Sequence, residues 1–197
     1  MFFVNSNKIN HTLLLFSHDT IYLAYKWYIS YTTRPLKGGD NMIKALRIDD
    51  RLMHAQVTFG WANSLNAKGI LIISDRVAND PTMKMAAQFA RPEAIKLWIR
   101  TVKEGIEALP KLHSFGYNTL ILADNVADAL QVCKACSFVK YVNMGGQRMA
   151  EGRNPILGTV YLSQQDLNDL KSIQDLGVEV EVKKMITDPG YPLKNFL

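Results

Sequence analysis

From Ile43 to the C-terminus the chain alternates short apolar runs with longer amphipathic stretches, and this alternation restricts the fold more than any other feature. Runs of that length suit strands, and the stretches between them are long enough for crossover helices, the pattern of a parallel sheet covered on both faces. Strands are expected over 43–48, 69–74, 94–99, 117–123, 139–143, 158–162 and 178–183. The expected class is α/β: an open, mostly parallel twisted sheet of about six or seven strands with helices on both faces. Helix starts are marked between the runs. Asp80 before Pro81 reads as an N-cap with proline at the first helical position, and Asp124 reads as the N-cap ahead of Asn125. Thr101 with Glu104, and Ser163 with Asp166, have capping-box spacing. Leu167, Leu170, Ile173 and Leu176 form a core stripe ended by Gly177. Val178, Val180 and Val182 then alternate with Glu179, Glu181 and Lys183, as in a strand wet on one face.

The first strand runs into Arg47-Ile48-Asp49-Asp50-Arg51-Leu52-Met53-His54-Ala55-Gln56-Val57. Val57, Trp61 and Leu65 follow at helical spacing, which puts His54 at or near a helix N-terminus at the carboxyl end of a strand. Ligands bind there in open α/β sheets, and free N–H groups attract a phosphoryl group. A neutral imidazole can attack phosphorus, and the resulting phosphoramidate stays reactive enough to pass the group on. Backbone amides from Leu52 to Gln56, Ala55 included, and the planar fork of Arg51 would meet the charge on the equatorial oxygens. Of Asp49 and Asp50, one would fix the histidine tautomer and the other would hold Arg51; the sequence leaves open which does which. A second candidate surface is the loop from Asn143 through Gly145 and Gly146 to Arg153, where paired glycines permit close approach of a phosphate or a partner, or merely make a turn. Asp75, Asn79 and Asp80 follow the second strand on the same sheet edge, where a docking role competes with plain N-capping by Asp80. His11, His18 and His113 lack charged neighbours at helpful spacing and receive no role.

Composition excludes more than it assigns. The net charge is +5, and residues 1–41 hold Lys8, Lys26, Arg34 and Lys37 against Asp19 and Asp40, leaving 19 basic and 16 acidic residues, or +3, in the remainder. A balance that mild, without basic runs, gives no case for nucleic-acid binding. Cys133 and Cys136 form a C-x-x-C at the end of an expected helix (125–133 or slightly beyond), where neither a redox pair nor a zinc site belongs, so buried thiols in a reducing cytoplasm are expected. No metal or cofactor is implied. Residues 1–41 are aromatic-rich and poor in acids; His18, Asp19 and Lys26 interrupt any spanning helix, and the expected domain begins at Met42 and runs to 197, with 1–41 an extension outside the fold and an artefact of start-site choice.

The run Asp49-Asp50-Arg51-Leu52-Met53-His54-Ala55-Gln56-Val57 resembles the phosphorylation-site signature D-D-R-L-I-H-G-Q-V of the IIB component of the mannose/fructose/sorbose family of the sugar phosphotransferase system (PTS). Three further segments are similar, in order and spacing: Asp75-Arg76-Val77-Ala78-Asn79-Asp80-Pro81, Val142-Asn143-Met144-Gly145-Gly146, and Thr159-Val160-Tyr161-Leu162. Met53 and Ala55 replace the usual Ile and Gly, and Ala135-Cys136 stands where the family tends to have glycines. The resemblance implies a phosphocarrier and sugar phosphotransferase in which His54 is the phosphohistidine, Arg51, Asp49 and Asp50 are catalytic, and Ala55, Gln56, Asp75, Asn79, Asn143, Gly145 and Gly146 hold phosphate or dock a partner. It implies as partners a IIA phosphocarrier, membrane IIC and IID components and a sugar, and a cytoplasmic location at the inner membrane face; self-association stays open. Two other readings remain. A receiver-like domain phosphorylated on aspartate would need an acceptor after the third strand, where Arg100 and Thr101 stand. A non-catalytic or regulatory relic would keep the fold and lose transfer, with Ala55 as its mark.

Overall fold

A computed structural model of the chain describes residues 42–52 and 60–197. The strands are β1 (Ile43–Asp49), β2 (Gly69–Ile73), β3 (Lys96–Arg100), β4 (Thr119–Ala123), β5 (Tyr141–Gly146), β6 (Asn154–Leu157), β7 (Val160–Leu162), β8 (Glu179–Val182) and β9 (Tyr191–Pro192). The helices are α1 (Ala62–Ser64), α2 (Asp75–Ala78), α3 (Pro81–Phe89), α4 (Val102–Ser114), α5 (Val126–Ala135) and α6 (Gln164–Asp175). Seven strands make the main sheet in the order β3-β2-β4-β1-β5-β8-β9, parallel throughout except for the antiparallel β8–β9 pair.

The central strands are apolar on both sides because both are covered. In β2, Leu71 and Ile73 point to the side covered by α4 and belong to a continuous buried cluster that includes Leu109, Val132, Leu170 and Ile173. Ile70 and Ile72 face the opposite layer of Trp61, Ala62, Leu65, Val77, Ala78 and Ala87. All four side chains are fully buried, and each such burial contributes about 2 kcal/mol by removal from water. The expected α/β sheet with helices on both faces is therefore the observed fold.

Capping follows the sequence at three of four helices. Asp80 accepts from the N–H groups of Thr82 and Met83 at α3, and the boxes Thr101/Glu104 and Ser163/Asp166 close on α4 and α6. The fourth is a correction: Asn125, not Asp124, caps α5, accepting from Asp128 N–H at 2.8 Å. The Asp124 carboxylate is already engaged by Ser74 Oγ at 2.8 Å and Arg76 Nε at 3.1 Å. A second correction concerns 158–162. Only Val160–Leu162 is strand, paired antiparallel with β6 in a separate two-stranded sheet joined to the main one by a Gln147–Val160 bridge. Gly158 turns this hairpin at φ +56°, and the seventh strand of the main sheet is instead β9, two residues long and too short to show a period.

Cys133 and Cys136 are buried at the end of α5, and burial pushes the Cys133 thiol up to about 12, away from the thiolate a reactive site needs. Among the described residues no helix is long and apolar enough to cross a membrane, and no cluster of His, Cys, Asp and Glu could hold a metal ion.

Candidate active site

β1 and β5 are neighbours, yet the chain leaves β1 toward β2 on one side and β5 toward β8 on the other. That reversal opens a crevice beyond their carboxyl ends. Here β1 ends in Asp49, level with Gly146 of β5 across an irregularity in register.

Asp49 is fully buried and serves two guanidinium groups. Its Oδ1 accepts from Arg51 Nε at 2.9 Å and Arg51 N–H at 3.1 Å, while Oδ2 accepts from Arg51 Nη2 at 2.9 Å and Arg47 Nη2 at 2.8 Å. Burial works against the Asp49 carboxylate, but the Arg51 hydrogen bonds and the charges of Arg47 and Arg51 together outweigh it and hold the carboxyl below its ordinary value. Hydrogen bonding to Asp49 in turn raises Arg51. Arg51 is 26% exposed, and its Nη1 has no hydrogen-bond partner among the described residues. The question of which carboxylate holds Arg51 is thereby answered: it is Asp49. Asp50 Oδ2 instead accepts from Arg148 N–H and Arg148 Nε, both at 2.9 Å.

Arg47 is 1% exposed inside a strand. Beyond Asp49, its Nη1 donates to Asn143 Oδ1 and, at 3.2 Å, to Lys183 O; its Nη2 donates to Lys184 O at 2.8 Å. Its guanidinium carbon lies 4.8 Å from the centre of the Trp61 ring. Burial lowers Arg47 despite the neighbouring Asp49 charge.

This packing corrects the expectation for Asn143, Gly145 and Gly146. Asn143 is not in a loop: it is fully buried in β5, accepts from Arg47, and donates to Lys183 O at 3.2 Å, so its side chain cannot touch a partner. Neither glycine makes a turn. A Cβ on Gly145 would sit 2.1 Å from Arg47 Cζ, and one on Gly146 would lie 3.3 Å from both Arg51 Nη2 and Asp49 Oδ1. They leave room for guanidinium groups. Gly145→Ala should therefore destabilise the protein by about 3 kcal/mol, as overpacking and disruption of a buried ion pair. Urea unfolding at the parental midpoint would show that Arg47 can move aside.

The turn after β1 is closed by Leu52 N–H donating to Asp49 O at 3.0 Å. Leu52 then adopts φ +43° with its side chain buried, a left-handed conformation costing a branched residue about 1 kcal/mol. Beside it opens a cleft of about 400 Å³. Arg51, Arg76 and Arg148 line it, with an apolar wall that includes Leu52, Val77, Met83, Ala86, Ala87 and Ala90. Each of the three arginines is tethered by a carboxylate: Asp49, Asp124 and Asp50 respectively.

His54, Ala55, Gln56 and Val57 lie outside the described residues. Asp49, Asp50, Arg51, Asn143, Gly145 and Gly146 come together. Asp75 and Asn79 do not join them. Asp75 Oδ1 accepts from Val102 N–H at 2.8 Å, tying α2 to the start of α4, and Asn79 Nδ2 donates back to Asp75 O. Their shared segment contributes Arg76 to the cleft instead. The parts that Arg47, Arg76 and Asp124 play at the site escaped the sequence reading, although an arginine in the middle of an apolar strand signals a buried counter-ion.

The fold and this arrangement define an open α/β protein with a carboxylate-tethered cationic cleft at its switch point. Residues 43–197 match the family model for the PTS system sorbose subfamily IIB component, and the chain belongs to that family. It is 29% identical over 165 residues to the mannose-specific EIIAB component of Escherichia coli K12, covering 83% of this chain and 51% of that one. The chain thus spans about half the length of the mannose-specific EIIAB proteins it matches. It is 28% identical over 142 residues to the fructose-specific EIIB component of Bacillus subtilis, covering 72% of this chain and 87% of the relative. The crystal structure of the IIBSor domain of the Klebsiella pneumoniae sorbose permease superposes with a TM-score of 0.72 at 26% identity, covering 78% of this chain and 94% of that one.

Proposed function

We propose that this chain is a phosphocarrier whose His54 accepts a phosphoryl group from the phosphohistidine of a IIA domain and passes it to a sugar during transport through membrane IIC and IID components. The IIB domain in this reading spans residues 42–197, and it works at the inner membrane face through IIC and IID. One observation carries the proposal. Arg51, three residues before His54, is gripped on one edge by buried Asp49, keeps Nη1 without a hydrogen-bond partner among the described residues, and borders a cleft that two further arginines line.

In the first transfer an imidazole nitrogen of His54 forms the new N–P bond while the donor's N–P bond breaks; in the second the sugar oxygen bonds to phosphorus as the His54 N–P bond breaks, and the hydroxyl proton ends on the released imidazole. The protein has little covalent work beyond this. It must align donor and acceptor and meet the charge on three equatorial oxygens with fixed donors. Arg51 is suited to that task because Asp49 fixes its plane before the phosphoryl group arrives, so little reorganisation is needed. Arg76 and Arg148 add positive potential around the cleft and favour a partner with an acidic rim.

The test is incubation with a phosphorylated IIA domain, followed by exposure of the labelled protein to acid and to base. Label that is lost in acid and kept in base is the expected result, because phosphohistidine behaves that way. Loss in both would indicate an acyl phosphate on aspartate, and failure to take up label would favour the relic.

A further inference from the structure

We propose that Arg47 is a positioning residue for phosphoryl transfer, acting through Asp49 to hold Arg51 in the orientation that meets the transferred group. The inference rests on the phosphocarrier reading and adds to it a residue that never reaches the cleft.

Arg47 lies two residues before Asp49 on the same strand, on the same side of the sheet, and shares Oδ2 with Arg51. A carboxylate gripped only by Arg51 could rotate about its own side-chain bonds and carry the guanidinium with it. Arg47 removes that freedom because it is itself fixed from three directions: Asn143 of β5, the carbonyls of Lys183 and Lys184 just past β8, and the Trp61 ring. The backbone at Gly145 is shaped to its guanidinium, with no space for a Cβ. Charge points the same way. Two cations on one buried carboxylate leave the cluster with a net positive charge, and the exposed share of it lies on Arg51, which borders the cleft, whereas Arg47 is sealed. Stability alone does not call for this. A buried ion pair usually gains little over an apolar pair of the same shape, so a second buried arginine on Asp49 is better explained by the alignment it imposes.

The experiment is a double-mutant cycle on the full chain, reading the single-turnover rate of transfer from phosphorylated IIA to the protein at saturating donor. Rates are taken per folded molecule, as judged by circular dichroism. Arg51→Lys should itself slow transfer, because a point charge loses the two-pronged grip. Arg47→Lys should slow it by about tenfold, in the range found when a supporting hydrogen-bond partner is removed, with the half-saturating donor concentration little changed. In the Arg51→Lys background the same Arg47→Lys change should cost less than about twofold, because the group it positions is already gone. Effects that multiply in full would reduce Arg47 to a general structural role and overturn the proposal. If Arg47→Lys does not fold, Asn143→Ala takes its place, since it withdraws one acceptor from Nη1 and leaves Lys183 O; its smaller loss must also vanish in the Arg51→Lys background. A parent that takes up no label would overturn the phosphocarrier reading and this one together. A labelled parent with Arg47→Lys at the parental rate would overturn this one alone.

Discussion

Replacing His54 with alanine is expected to abolish phosphorylation by a IIA donor while leaving the circular dichroism spectrum and melting temperature close to those of the parent. Transfer through a phosphohistidine requires an unprotonated ring nitrogen as nucleophile, and among the described residues no neighbour in the turn can stand in for it. Asp49 is buried under two arginines and Asp50 is bound to Arg148, so neither carboxylate is free to take over. His113 is no substitute either. It stacks on Phe138 with ring centres 4.5 Å apart and planes 9° from parallel. Label retained on the alanine variant, followed by peptide mapping to any other residue, would end the assignment of His54.

The largest loss of stability is expected from Asp49→Asn. The substitution keeps the shape of the side chain and removes the only carboxylate paired with the buried Arg47 among the described residues. Leaving a buried charge without its counter-ion costs about 3–5 kcal/mol. In a domain of this size that corresponds to a fall in melting temperature of about 10 °C. The penalty should depend on pH in a defined direction. Asp49 sits below its ordinary value in the folded protein, so ionisation favours folding. Its contribution is complete above the unfolded value of about 3.9 and is lost as pH falls through the lower folded value. The parent should therefore lose stability on acidification below about pH 4, and the asparagine variant should lack the part of that slope owed to Asp49. Urea unfolding of both proteins at neutral and acidic pH measures the difference. Equal midpoints at neutral pH would mean that Arg47 finds another partner.

The sheet was legible because its signals are local and repeated. Apolar runs such as Ile70 to Ile73 lead directly into capped helices, and the boxes at Thr101 and Ser163 depend on residues three apart. Errors arose where the deciding contact is distant. Asp124 and Asn125 are equally good N-caps by type; the choice is made by Ser74 and Arg76, about fifty residues earlier in the chain. Asp49 and Asp50 are interchangeable on paper, and burial distinguishes them: the strand carries Asp49 inward, while the turn leaves Asp50 beside Arg148. The glycines of β5 were read for what they allow a ligand to do, whereas in the structure they leave room for Arg47 of β1 and Arg51 of the turn after it. β9, an edge strand of two residues paired with β8, is too short to carry a period.

The anchoring of Arg47 also has a bearing on synthesis of the chain. Two of its acceptors, Lys183 O and Lys184 O, lie 136 and 137 residues downstream. The whole signature and all six parallel strands of the main sheet are made before the two carbonyls that help to hold this buried cation. Until they arrive, Arg47 needs water and Asp49 has one settled partner fewer, so a nascent or truncated chain carries all the residues of the turn without their final alignment. On the phosphocarrier reading, a copy ended before Lys183 carries the signature without the alignment that transfer needs, and it should take up label from its donor more slowly than the parent.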